Sequence, residues 1–417
     1  MRRTPGVGAV PGLVTPWLIA GSVLVAGPSR AAGSDRRPPD PARSVTVPFA
    51  LDHNRMIVDV EFVRRDGTIR AAHAWVDTGN PVLFLAETLA RDLGLNLPGA
   101  GTGGGPDAGT VPAPAPPMRL GGVSLATDGV TTRIRPGPRV MPGVPAEANL
   151  PASALRHGRV VFDYPARRLT YATAGARRPR GVAVPCRVNA ATGLVQVAAT
   201  IAGETVELAI DNGSAGTWVS RRLTAAWRSR HPEWPRATGA VGSANFFGFP
   251  FEVGGDLVRI PMLEVGAVRL AGVGVLGVDQ DVFDWYSGKT VVPVAGFIGA
   301  NALQGVRLEV DFARGMTYWD ERSALPAGDF DTVGLTLRPE VGGGYTVAGV
   351  AAKDGRAAVA GVEPGDALVS VDGFEVAHAT MGRVVAALRG KPGATRTLVV
   401  ERAGARATVV ATVVSLP

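Results

Sequence analysis

The sequence predicts a mainly β protein, with two β-rich lobes related by an internal repeat and a smaller α+β domain after them. Three observations carry this. Glycine and proline supply 55 and 33 of the 417 residues, a share of helix breakers that excludes a coiled coil or a helical bundle. Two long segments align without gaps when Asp77 is set on Asp211. From about Asp331 the pattern changes to short strands, one helix and a Pro-Gly-Asp turn. With 46% hydrophobic and 19% charged residues the chain is not a disordered one, and its length suits two or three domains of about 150 residues.

Residues 1–32 read as an export signal. Arg2 and Arg3 precede an apolar run over 13–26, which leads to Ser29-Arg30-Ala31-Ala32. The run contains Pro16 and falls short of the ~20 apolar residues of a spanning helix. An exported, periplasmic or extracellular protein is therefore expected, with membrane contact only if that segment stays uncleaved.

In the repeat, Val76 meets Ile210, Gly79 meets Gly213, Phe84 meets Trp218, Leu85 meets Val219 and Leu89 meets Leu223. Each copy reads as a strand, an Asp-x-Gly turn, a second strand and a short helix-like run over 86–95 or 221–227. Trp75, Phe84 and Trp218 are expected in the core. A second block, 150–163, aligns with 298–311, pairing Ala154-Leu155 with Ala302-Leu303, Arg159 with Arg307, and Asp163 with Asp311. Both of these aspartates read as structural turn residues. Leu169-Thr170-Tyr171 then answers Met316-Thr317-Tyr318. The lobes span roughly 44–174 and 181–322, with residues 175–180 as a linker. Residues 99–117 read as a low-complexity loop. The last domain, 331–417, is expected to hold strands at 333–337 and 345–350, a helical turn at 357–360, a helix at 381–388, and strands at 395–402 and 406–414.

Charge and residue counts narrow the chemistry. The formal charge is +7, and only Lys289, Lys353 and Lys391 among the 43 basic residues are lysines. The arginines are spread evenly, with no basic stripe, so no nucleic-acid partner is expected. Cys186 is the only cysteine, which excludes an intrachain disulfide and a cysteine-based metal site. The five histidines lack metal-ligand spacing and no Gly-x-Ser-x-Gly elbow occurs. Neither a metal nor a cofactor is expected.

Asp77-Thr78-Gly79 and Asp211-Asn212-Gly213-Ser214 remain as the chemical candidates. A pseudo-twofold pairing of the lobes would bring Asp77 to Asp211. Two carboxylates so placed share one proton, and the pair can then act as base toward a water and as acid toward a carbonyl oxygen. Thr78 would tie one turn to the other lobe, and glycine after each Asp leaves room for the turn and for substrate.

Residues 44–322 resemble the retropepsin-like aspartic proteases in a single-chain, two-lobe bacterial form. The resemblance rests on the two Asp-x-Gly turns, on Phe297-Ile298-Gly299 and on the duplicated strand blocks ending at Tyr171 and Tyr318. It implies catalytic Asp77 and Asp211, supporting Thr78, Gly79, Asn212, Gly213 and Ser214, a peptide or protein substrate, and a hairpin over the cleft, best matched by 239–251. The chain departs from the pattern at Asn80, at Asn212, and at Asn149-Leu150-Pro151. The alternative is a non-catalytic peptide-binding or scaffold protein with a degenerate site.

The run Ala360-Gly361-Val362-Glu363-Pro364-Gly365-Asp366, followed by Leu368 and Val371-Asp372-Gly373, resembles the PDZ domains of exported bacterial proteases. That likeness implies capture of a peptide C-terminus as an added strand beside Gly334, Leu335, Thr336 and Leu337. A purely structural PDZ domain is the alternative.

Overall fold

Met56, Val58, Val60 and Phe62 alternate along the strand Arg55–Val63 and are each at most 1% exposed, the period of a half-buried strand. A computed structural model describes residues 43–96, 109–173, 178–239, 242–243 and 255–417. The expected export signal lies outside the described residues, as do 99–108 of the low-complexity stretch and most of the cleft-hairpin candidate. Among the described residues no helix is long and apolar enough to cross a membrane.

The fold is mainly β. In the first lobe the central strands are Leu83–Ala86, Ala148–Pro151, Ile69–Asp77 and Arg55–Val63, in that order. The second lobe repeats the arrangement with Thr217–Ser220, Gly296–Gly299, Glu204–Asp211 and Val195–Ile201. In each lobe the strand that ends in aspartate takes a parallel neighbour at its end. Pro151 lies opposite Asp77, and Gly299 opposite Asp211. Trp75, Phe84 and Trp218 are core residues, 2%, 2% and 7% exposed.

A six-stranded antiparallel sheet joins the lobes. Its centre pairs Arg159–Asp163 with Val306–Asp311, so strands from the two halves are hydrogen-bonded to each other. Buried Glu309 binds Arg159 and Arg307 there. Asp163 and Asp311 accept from the amides of Ala166 and Arg314 in their turns, as the sequence suggests.

The C-terminal domain has its own core, including Val333, Val347, Leu368, Val384 and Leu398. Its helix, Met381–Leu388, starts where the Thr380 hydroxyl accepts from the Arg383 amide at 3.4 Å. Two expectations need correction. Residues 357–360 form no helical turn: Ala352–Lys353 and Arg356–Ala357 are a hairpin around Asp354 and Gly355, both at positive φ. The Asp-Gly turn dictates the local geometry over the alanine content that follows it. The stretch 99–117 is not all loop, because Val111–Ala113 pairs with residues 132–134. The Pro-Gly-Asp turn is held by Asp366, which takes Arg402 through Nε at 2.6 Å and Nη2 at 2.8 Å and the Glu363 amide at 2.9 Å. These bonds hold its carboxyl below the usual range, so their stabilisation is present at neutral pH and is lost as acid protonates the group.

This domain is docked on the lobes. Asp52 of the first lobe accepts from the Gly382 amide at 2.9 Å and from the Thr380 hydroxyl. On the second lobe, Arg259 Nε donates to the Pro417 oxygen at 2.7 Å, and Thr238 pairs with Ala352.

Candidate active site

Both Asp-x-Gly turns arrive at one place, at the ends of apolar strands whose last four residues are buried. Asp77 and Asp211 are 3% and 4% exposed. Each glycine faces the carboxylate of the opposite lobe. A Cβ on Gly79 would fall 2.2 Å from Asp211 Cγ, and one on Gly213 would fall 2.2 Å from Asp77 Oδ1. The two turns thus meet face to face in the structure.

The turns are tied to each other. The Thr78 amide donates to Asn212 Oδ1 at 3.0 Å, and the Asn212 amide donates to Thr78 Oγ1 at 3.2 Å. The Thr78 hydroxyl has the Ile210 carbonyl at 3.0 Å and Asn212 Oδ1 at 3.1 Å as acceptors for its one hydrogen. Asn212 therefore ties the turns through its amide oxygen, at the expense of a buried Nδ2 with no partner. Ser214 supports the turn from the other side, its hydroxyl donating to the Gly216 carbonyl at 2.7 Å.

The first-lobe segment Asn149-Leu150-Pro151 is held in place too. Pro151 keeps its place opposite Asp77, while Asn149 receives the Phe84 amide at 2.7 Å and donates to the Val82 carbonyl at 2.9 Å. In the second lobe Gly299 has no room for a side chain, since a Cβ would sit 1.9 Å from the Gly216 carbonyl oxygen.

The two carboxyls are not equivalent. Burial raises the affinity of both for a proton. Asp77 is pushed well above the usual range, first by burial and then by the charge of Asp211, against the nearby side-chain amides of Asn149 and Asn80. Asp211 is raised by burial to about 6, and is held back by the amides of Ser214, Gly213 and Gly79 and by Arg55. Gly213 N and Ser214 N lie 2.9 and 3.1 Å from Asp211 Oδ1, whereas Asp77 Oδ2 is buried without a partner. Donors to a carboxylate favour its charged form. With one proton shared, Asp211 holds the negative charge and Asp77 the proton.

Sequence reasoning missed Arg55 and gave Asn149 no positive role. Arg55 is 5% exposed and its Nε donates to the Gly213 carbonyl at 2.9 Å. A lone arginine at a strand start gives no motif, so only the fold reveals it. Cys186 is half-buried, and burial pushes its thiol up to about 12, which suits a packing residue and not a nucleophile.

The proposed peptide-binding residues of the C-terminal domain are placed differently from an open groove. Leu335, Thr336 and Leu337 are 5%, 0% and 1% exposed. Gly334 is at φ 81 in the loop before them. The outer edge of their strand pairs in parallel with Gly242–Ser243 of the second lobe. A cavity of about 90 Å³ remains where Leu335, Val385 and Leu388 meet His53, Trp218 and Phe330.

A profile of the PDZ domain matches residues 347–402, and the chain carries a PDZ domain at its C-terminus. No curated protein matches the chain. Similar solved structures include the aspartic proteinase from Irpex lacteus, at 12% identity and TM-score 0.39, covering 68% of this chain and 99% of that one. Basic 7S globulin from soybean is similar at 12% identity and TM-score 0.38, covering 68% of this chain and 96% of that one.

Proposed function

We propose that the chain is an exported aspartic endopeptidase with a water-mediated Asp77/Asp211 dyad, carrying a PDZ domain for peptide recognition or regulation. The observation that carries this reading is the reciprocal fit of the two turns, each glycine against the opposite carboxylate. Asp211, ionised, takes a proton from a water whose oxygen attacks the scissile carbonyl carbon. Asp77 gives its proton to the carbonyl oxygen, and a gem-diol forms. Collapse returns a diol proton to Asp77, passes the Asp211 proton to the leaving nitrogen and breaks the C–N bond. The dyad is restored with no covalent intermediate.

The rival is a peptide-binding protein with a degenerate site. Its motivation was Asn212 and Pro151, and both keep the geometry: Asn212 maintains the tie between turns, and Pro151 maintains the strand register. A statine-bearing peptide separates the readings, because its hydroxyl sits where the attacking oxygen would be. Calorimetry on the full chain should show it binding at least about 100-fold more tightly than the same peptide without the hydroxyl. Equal affinities would identify a binding protein.

A further inference from the structure

Arg55 lies behind the dyad, and the binding and hydrolysis steps above leave it unused. It is buried, yet among the described residues no carboxylate forms an ion pair with it. Its Nε bonds the Gly213 carbonyl at 2.9 Å, its Nη1 lies 3.3 Å from His53 Nδ1, and its guanidinium carbon is 5.8 Å from the centre of the Trp75 ring. Burial lowers the proton affinity of its guanidinium, the nearby charges of Asp52, Asp211 and Asp77 oppose that, and the group stays cationic.

Its backbone explains its reach. Ala50–Asp52 and the start of Arg55–Val63 form a hairpin in which Asp52 faces Arg55. The two turn residues, His53 and Asn54, lie at φ 47 and 65, the left-handed pair that a two-residue hairpin turn requires. Asn54 Nδ2 donates to the Ala215 carbonyl at 3.0 Å. Two neighbouring side chains of the first lobe thus take two carbonyls of the loop that follows Asp211. In the second lobe the loop between the paired strands Arg187–Val188 and Val195–Ile201, residues 189–194, contains no charged residue.

The other side of the same hairpin is held by the PDZ domain. Asp52 accepts the Gly382 amide and the Thr380 hydroxyl at the start of the PDZ helix. The fit is close: a Cβ on Gly382 would lie 2.7 Å from both Asp52 Oδ2 and His53 N.

We propose that Arg55 is a positioning residue of the Asp77/Asp211 pair, clamping the Asp211 turn through the Gly213 carbonyl, and that the PDZ domain holds this clamp in place through Asp52. The proposal rests on the dyad reading above. It makes the hairpin of residues 50–57 the physical link by which a change in PDZ docking reaches the catalytic carboxyls. When Arg55 holds the Gly213 carbonyl, the amides of Gly213 and Ser214 stay aimed at Asp211 Oδ1, and a fixed cation stands beside the charged member.

Among the described residues few titratable groups face the pair. Arg55 comes from the hairpin, Tyr164 from the turn after the first-lobe strand of the six-stranded sheet, and Tyr286 from the helix Gln280–Ser287. Burial and the nearby carboxylates raise both tyrosines, which stay neutral. His53 stands beside Arg55 and is held neutral by burial and by the charges of Arg55 and Arg389. Arg55 is therefore the cation whose removal alters the dyad.

The test uses the full chain with Arg55→Met, Arg55→Lys and Gly382→Ala. Arg55→Met should lower kcat on a peptide about 100-fold with KM within about twofold, and move the acid limb of the pH profile upward, because a lost cation favours protonation of the carboxyls. Arg55→Lys should restore the limb but not the full kcat, since a point charge lacks the fixed Nε–H. Gly382→Ala, remote from the carboxyls, should lower kcat about 3- to 10-fold. It also keeps the test decisive if Arg55→Met does not fold. Unchanged kcat and limb in folded Arg55→Met, or unchanged kcat in Gly382→Ala, would overturn the proposal. Carbon-13 titration of the aspartate carboxyls separates this from the dyad reading. If the wild type cleaves nothing, an upward shift of the Asp77 and Asp211 titrations in Arg55→Met still supports the clamp, and an unmoved titration refutes it.

Discussion

Gly213→Ala lowers kcat/KM for a peptide by at least about 100-fold and destabilises the chain by about 1–3 kcal/mol. Neither Gly213 nor Gly79 has a positive φ, so glycine is required at both for space and not for backbone conformation. A Cβ on Gly213 would meet Asp77 at Oδ1, 2.2 Å, at Cγ, 2.8 Å, and at the backbone Cα, 3.0 Å. The carboxylate can swing away, but the Cα belongs to the strand that positions it, so the lobes must separate. Gly79→Ala presses on all three atoms of the Asp211 carboxylate, at 2.2 to 2.4 Å, and should behave likewise. Gly216→Ala is the matched control. Its nearest neighbour would be Trp218 Nε1 at 3.6 Å, an ordinary contact. Urea unfolding and peptide kinetics on the three variants check the contrast.

Asp77→Asn removes activity by about 100- to 10,000-fold and yet raises the melting temperature at neutral pH. The sign follows from linkage. The Asp77 carboxyl is raised well above its unfolded value by burial and by Asp211. The native state therefore binds this proton more tightly than the unfolded chain does. Its contribution to stability is complete below the ordinary carboxylate range and is lost as pH rises through the native value. A neutral amide escapes that loss, so the gain over wild type should grow with pH and vanish near pH ~4. Each kcal/mol corresponds to about 2–4 °C in a domain of 150–250 residues. Asp211→Asn should be equally inactive but gain less. Asp211 is held back by the Gly213 and Ser214 amides, and losing its charge leaves Arg55 buried beside a neutral group. Thermal melts across pH read both effects.

Much of this arrangement is legible in the sequence, because the two Asp-x-Gly segments align without gaps. Val76 on Ile210 and Gly79 on Gly213 place both aspartates at equivalent strand ends, and the structure sets them against each other. The helix Met381–Leu388 and the strand Thr395–Arg402 follow from strong local patterns. What local pattern cannot supply is contact between distant segments. Asn149 braces the strand Ala148–Pro151 by bonding the backbone of residues 82 and 84, which no spacing rule anticipates. Arg55 is one of many arginines until the hairpin carries it under the Asp211 turn. Leu335 and Leu337 sit in the core of their own domain, and the free edge of their strand is covered by Gly242–Ser243, a pairing between segments that no local pattern reveals. At residues 357–360 the error was local: an Asp-Gly hairpin turn at 354–355 fixed the chain direction before alanine propensity could act.

The central claim is a dyad that hydrolyses peptides while sharing one proton. Its most direct test is kcat/KM of the full chain on an unstructured peptide, measured from about pH 4 to about pH 9. The account predicts a bell whose acid limb lies at about 6, where Asp211 ionises, and whose alkaline limb lies where Asp77 gives up its proton, with kcat/KM at least about 100-fold lower in Asp77→Asn and in Asp211→Asn. Cleavage within about tenfold of wild type after either substitution, or a wild type that cleaves nothing at any pH, contradicts it.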